Sequence, residues 1–188
     1  MRDPCERLRT YHPTIQGTLD NCTFELGWLA EERGDVTEGR AMMARVGHDR
    51  VELARAYLDA WDGKLDSAAT RAHRYAAAIT GEWWQMKLAA NGFLVAAQWF
   101  DKLGRRSDAI ADADRALAIL DGLPTLAQTA HFERRRARTR ALLARMIAAT
   151  NPARAHELAT LAAQWYRTAG GYDAIATEME TLAATSSR

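Results

Sequence analysis

The densest chemistry in this sequence is Arg134-Arg135-Arg136-Ala137-Arg138-Thr139-Arg140, five arginines in seven residues. A guanidinium is planar, permanently charged and able to grip a carboxylate or phosphate through two parallel N–H donors. On a helix Arg134 and Arg138 share one face and Arg136 and Arg140 another, so the run predicts a ridge able to hold anions. The competing reading is a charged face neutralised by neighbouring Asp and Glu. The chain as a whole does not follow the ridge, because 25 basic and 24 acidic residues leave a formal charge of only +1. That balance, with no recognised reader motif, disfavours nucleic acid and points instead to an acidic peptide or protein. Only Lys64, Lys87 and Lys102 among the basic residues are lysines, a bias that with the abundant Ala fits a GC-rich genome.

Other reactive side chains lead to less. His156-Glu157 opens like the zinc-protease pattern HExxH, but Thr160 stands at the second His position. His12, His48, His73, His131 and His156 form no i, i+4 pairing with a carboxylate-rich helix, and no EF-hand loop surrounds Asp112 and Asp114. No Gly-rich phosphate loop and no GxSxG elbow occurs. Cys5 and Cys22 are too few and too far apart for a zinc knuckle or a disulfide scaffold, so a reduced, cytoplasmic setting is expected, with Cys22 packed in an apolar helix. No catalysis, cofactor or metal is expected. The second prominent feature is aromatic: Trp28, Trp61, Trp83, Trp84 and Trp99 include residues of the type favoured at binding hot spots, and a pocket among Trp28, Tyr57 and Trp61 would suit a small ligand.

The elements that must position these groups are helical. From Phe93 to Leu120 apolar residues recur at helical spacing on either side of Gly104: Phe93, Ala96, Ala97 and Phe100, then Ala109, Ala113, Ala116 and Leu120. Small residues facing one another let two helices approach closely, Gly104 supplies the turn, and Ser107 is expected to cap the second helix. The same offsets appear earlier. Ala30, Gly34, Gly39, Met43 and Val46 lie at +3, +7, +12, +16 and +19 from Gly27, as Phe100, Gly104, Ala109, Ala113 and Ala116 do from Ala97. Between them Val51–Trp61, the turn Asp62-Gly63-Lys64 and Leu65–Ile79 read as a further hairpin. Its early turn is explained by a short second helix in the first hairpin and a longer one here.

After Leu120, Thr125 with Gln128 predicts a capping box for a long helix over Leu126–Ala149. Asn151-Pro152 starts another helix, Gly170-Gly171 stop it, and a last helix runs from about Asp173 to Ala184. Strand-like alternation is rare. At 188 residues and 48% hydrophobic, the chain has the apolar material for one domain of ordinary size.

These positions resemble the tetratricopeptide repeat, whose period is about 34 residues. Departures are Phe for Trp, Ala for Leu and Gly, Ala for the second-helix aromatic, and Asp121 where Pro often stands. The resemblance implies an all-α fold, a right-handed α-α superhelix: a TPR-like solenoid of about four hairpins plus a C-terminal capping helix. It implies a single domain over 1–188, with an irregular lead-in at 1–13, or a boundary within a longer protein, and the capping helix and tail at 172–188. First helices of such hairpins line a concave face, which would present Asn21, Phe24, Trp28, Glu31 and Glu32 in the first unit and Asn91, Leu94, Gln98, Asp101 and Lys102 in the third. With Arg134, Arg136, Arg138 and Arg140 these are the expected partner-binding residues. The basic clamp that the family uses for peptide C-termini is not recognisable.

The chain is also similar to divergent repeats attached to bacterial serine/threonine kinases and signalling ATPases, which implies a regulatory, non-catalytic scaffold for a protein or peptide partner. No stretch approaches the roughly 20 apolar residues of a membrane span, and the opening segment lacks a signal-peptide run, so a cytoplasmic protein is expected. Two alternatives remain: a ligand-sensing domain of a bacterial signalling or transcription regulator, and a helical protein that binds nucleic acid or phosphate.

Overall fold

The computed structural model describes residues 16–47, 50–124 and 130–186. Among them the chain is all-helical, without a strand: α1 Gln16–Glu32, α2 Val36–Met43, α3 Val51–Trp61, α4 Leu65–Ala78, α5 Trp83–Lys102, α6 Arg106–Asp121, α7 Ala130–Ile147, α8 Pro152–Ala169 and α9 Asp173–Ser186. The lead-in over 1–13 and the Thr125–Gln128 cap lie outside the described residues. The chain divides into two compact units, Met1–Tyr75 and Ala76–Arg188, with the boundary inside α4.

Three turns are built alike. Gly34, Gly63 and Gly104 have φ of 79°, 78° and 74°, the left-handed region in which an L side chain is strained. Each glycine N–H donates to the carbonyl three residues back: Glu31 at 2.9 Å, Ala60 at 3.1 Å and Asp101 at 3.0 Å. The next N–H donates five residues back: Asp35 to Ala30 at 2.9 Å, Lys64 to Asp59 at 2.9 Å and Arg105 to Phe100 at 2.9 Å. This double bond pattern consumes carbonyls that a helix C-terminus would otherwise leave orphaned.

Around each turn the same positions are small. Seven residues before and five after the glycine stand Gly27 and Gly39, Ala56 and Ala68, and Ala97 and Ala109, all buried. At the first pair the backbones nearly touch: a Cβ added at Gly39 would lie 3.2 Å from the Gly27 carbonyl oxygen and 3.1 Å from Trp61 Cη2. The frame is thus fixed within each hairpin, and irregular spacing between hairpins arises in the second helices, where α2 has 8 residues and α4 has 14.

Helix ends follow local chemistry where side chains can supply it. The Glu38 N–H donates to Asp35 Oδ1 at 2.9 Å and the Arg154 N–H to Asn151 Oδ1 at 3.2 Å, with Pro152 at the first position of α8. Two expectations are corrected. Trp83–Lys102 is one 20-residue helix rather than a short one beginning near Phe93. Ser107 does not cap α6, because Arg105 stands at the N-cap and Ser107 is already within the helix; Asp108 supplies the negative charge that the first turn favours and pairs with Arg105 Nε at 2.8 Å.

In the second unit α5 packs on α6, α6 on α7, α7 on α8 and α8 on α9, while α7 also touches both α5 and α9. Ala90, Leu120, Leu123 and Phe132 form a cluster where α5, α6 and α7 meet. Asp114 of α6 receives both Nη atoms of Arg154 of α8, tying those helices across 40 residues of chain. In the first unit Asp59 of α3 accepts from Ser67 at 3.0 Å and from Arg71 Nε at 3.1 Å, both on α4.

Close approach and turn strain are separable by mutation. Gly39→Val is expected to destabilise by about 3 kcal/mol, since its side chain meets backbone that cannot yield. Gly104→Ala, where a Cβ meets nothing within 4 Å, should cost about 1–2 kcal/mol through the left-handed backbone alone. Denaturant midpoints of the two variants check the ranking.

Candidate functional site

The arginine run lies on α7, the helix that touches α5, α6, α8 and α9, and that position decides its chemistry. Arg136 is 6% exposed. Its guanidinium bonds the Glu133 carboxylate and the Leu120 carbonyl, and its Nε is 2.8 Å from Asp121. Arg140 reaches the same Asp121 at 3.3 Å. Arg135 is 3% exposed. These residues clamp α7 to the end of α6 and do not form an open ridge, so Arg136 and Arg140 are corrected from partner-binding to structural. The cause is geometric: a helix enclosed by its neighbours leaves little of a five-arginine run facing water.

The other face of α7 behaves differently. Arg134 and Arg138 are half-buried, and Arg145 continues their stripe seven residues beyond Arg138. Arg138 Nη2 donates to Gln98 Oε1 of α5 at 3.1 Å. The Arg134 guanidinium lies 5.6 Å from the centre of the Tyr172 ring. Arg145 makes a two-point bridge to Glu178 of α9, at 2.6 and 2.8 Å. Tyr172 packs in turn on Trp165 at 5.8 Å and on Tyr166 at 5.3 Å between ring centres. Burial pushes the Tyr166 hydroxyl above its ordinary pKa, against the opposing fields of Arg138, Arg145 and Arg134. Three first helices therefore lie side by side and share one polar, arginine-centred strip: Gln98 from α5, the arginines from α7, and Glu178 of α9 with Tyr172 just before it.

Of the expected first-hairpin residues, Asn21 and Glu32 have no described side chain. Phe24 and Trp28 are 1% and 3% exposed and so are unavailable as groove contacts. Phe24 meets Tyr57 edge-on at 5.9 Å and carries the Arg50 guanidinium 5.0 Å over its face. Tyr57 and Trp61 lie 5.7 Å apart, so the aromatic residues of the imagined ligand pocket pack on one another. Glu31 is half-buried. In the third hairpin Asn91 is 4% exposed, which removes it from any groove surface, and neither its Oδ1 nor its Nδ2 has a hydrogen-bond partner. Leu94 is buried, Lys102 is exposed, and Asp101 bonds Arg106 at 2.5 Å. The structure brings Gln98, Arg134 and Arg138 together and leaves the other expected residues dispersed. Arg145, Tyr166, Tyr172 and Glu178 were missed, although the spacing of Arg134, Arg138 and Arg145 already marked one face.

Several sequence features resolve into structural roles. Asp112 is buried 3.7 Å from Arg115, and Asp114 is bound by Arg154. His156 Nδ1 contacts the Ala183 carbonyl at 2.9 Å. Among the described residues no cluster of three His, Cys, Asp or Glu could hold a metal ion, and no helix is long and apolar enough to cross a membrane. Cys22 is disulfide-bonded, contrary to the expectation of reduced thiols; Cys5, the other cysteine of the sequence, lies outside the described residues. Trp83 is 43% exposed. Comparisons with protein-family models, curated proteins and solved structures found no match for this chain.

The two faces of α7 make opposite predictions. Arg136→Ala should cost about 2 kcal/mol by stranding charged hydrogen bonds, and Arg134→Ala about 0.5 kcal/mol, read as shifts of the unfolding midpoint. The Arg145 guanidinium holds the Glu178 carboxyl below its ordinary pKa of 4.5, so the pair's stabilisation is present above that value and is lost as pH falls through the lower folded-state pKa. Glu178→Gln should flatten that portion of the acid limb of stability against pH.

Proposed function

We propose that this chain is a tetratricopeptide-like helical-repeat module that holds an acidic peptide segment on the first helices of its second unit. The observation that carries this reading is the recurrence of one hairpin design, with the same turn bonds and the same small positions at three glycines. Stacked hairpins of this kind present their first helices as a continuous platform. In the second unit that platform carries Gln98, Arg134 and Arg138, half-buried, with Tyr172 beneath Arg134.

Chemistry selects the partner class. Guanidinium groups preorganised by packing lose little freedom on meeting a carboxylate, and a neighbouring tyrosine offers apolar contact beside the charge. With overall charge near neutrality, recognition would be local rather than steered by a large field. A scaffold role within a bacterial signalling system follows from the resemblance to repeats attached to kinases and signalling ATPases. The small-molecule sensor is disfavoured by the mutual packing of Phe24, Tyr57 and Trp61.

The test uses a fluorescently labelled glutamate-rich peptide and its glutamine counterpart. The glutamate peptide should bind saturably, weaken as salt screens the contacts, and lose about tenfold or more in affinity with Arg134→Glu and Arg138→Glu combined. Equal binding of both peptides, or unchanged affinity in the double variant with its fold intact, would reject the proposal.

A further inference from the structure

The second unit shows how one of its own helices is seated, and that seat recurs once more. Helix α8 packs on α7 and is tied sideways to α6 by Arg154 on Asp114. It fills that place with Ala155, Ala159 and Ala162, all at 0% exposure. Asp114 lies five residues after the small position Ala109 of α6; Thr160 lies five residues after Ala155, the matching position of α8. Thr160 is one wall of a cavity of about 510 Å³ between α8 and α9, completed by Ala163, Gln164, Arg167, Thr168, Glu180 and Ala183. The part of a second helix that is gripped in α6 is thus the part that borders a solvent-open groove in α8.

We propose that this α8–α9 groove docks one further amphipathic helix, supplied by a partner protein, whose contacting stripe carries Ala, Ser or Gly at i, i+4 and i+7. Three observations define that chemistry. Ala163 and Ala183 are 5% and 7% exposed and leave no room for long side chains, as between other helices of the unit. The Thr160 and Thr168 hydroxyls bond the His156 and Gln164 carbonyls of their own helix at 2.8 and 2.9 Å, so their methyl groups remain for apolar contact. Charge in the groove closes on itself, because Arg167 makes a two-point bridge to Glu180 at 2.8 Å through both Nε and Nη2. A stripe that is small and uncharged therefore fits where a charged or bulky one does not. This surface is separate from the arginine strip on α7.

The probe is a labelled synthetic helix with an Ala stripe at i, i+4 and i+7 and Glu–Lys pairs elsewhere, compared with the same peptide bearing Leu on the stripe, each titrated against the full chain. The Ala peptide should bind saturably and at least tenfold more tightly than the Leu peptide. Gln164→Trp and Thr168→Trp, both at exposed positions, should each weaken it at least tenfold without lowering the thermal midpoint. Absence of saturable binding, preference for the Leu peptide, or indifference to both variants would overturn the proposal. So would self-association of the chain abolished by Gln164→Trp, since the occupant would then be a second copy.

Discussion

Two helix backbones can lie nearly in contact only where both side chains are reduced to a methyl group or less, and the hairpins of this protein depend on that condition. At Gly27 and Gly39 even a methyl is too large, since it would press on backbone rather than on a side chain that could swing away. At the matching positions of the next two hairpins Ala suffices. Close approach then permits a short turn, and the short turn demands a left-handed residue, so small residues and turn glycine form one coupled requirement. The remaining features, including helix lengths and the identity of the larger core residues, vary around this fixed frame.

Arginine in this protein serves mainly as connective material. Arg136 and Arg140 converge on Asp121, Arg154 holds Asp114, Arg145 holds Glu178, and Arg71 spans Glu52 and Asp59. A planar fork reaches two acceptors at once, which a lysine cannot do as well, and its long stem covers apolar surface on the way. In an Ala-rich helical stack the hydrophobic contacts are shallow, because Ala buries little area per residue. Guanidinium bridges between helices add directional contacts where shape alone specifies weakly, at the cost of desolvating charge. Near-equal numbers of acids and bases suit this use.

The hairpin frame was legible in the sequence because its causes are local: a glycine for the turn, small residues at fixed distances from it, and apolar spacing of 3.6 residues on either side. Even the early second turn was readable, as the lengths of α2 and α4 show. The interaction strip was legible only in fragments. Gln98 and Arg138 were named for separate reasons, and nothing in their spacing announced a hydrogen bond across 40 residues. The burial of Arg136 depends on Asp121, which belongs to another helix, and Asn91 stands in a run of α5, residues 88–97, that is buried on every side. Periodicity identifies the face of a helix that is apolar; it is silent on how many neighbours enclose that helix, and here enclosure removed half of the expected residues from reach.

The second unit contains two junctions of similar design and opposite polarity. Where α6 meets α7, an acid, Asp121, is met by Arg136 and Arg140; where α8 meets α9, a base, Arg167, is met by Glu180 and Asp173. Helices with interchangeable Ala-faced surfaces can trade places during folding, a hazard of repetitive chains. Here an exchange carries a penalty at both ends. Placing α9 against α6 sets Glu180 and Asp173 beside Asp121, and placing α7 against α8 sets Arg136 and Arg140 beside Arg167. Alternating the sign of the junction thus gives each helix an address: like charge rejects the wrong neighbour in a stack whose apolar faces alone would accept it.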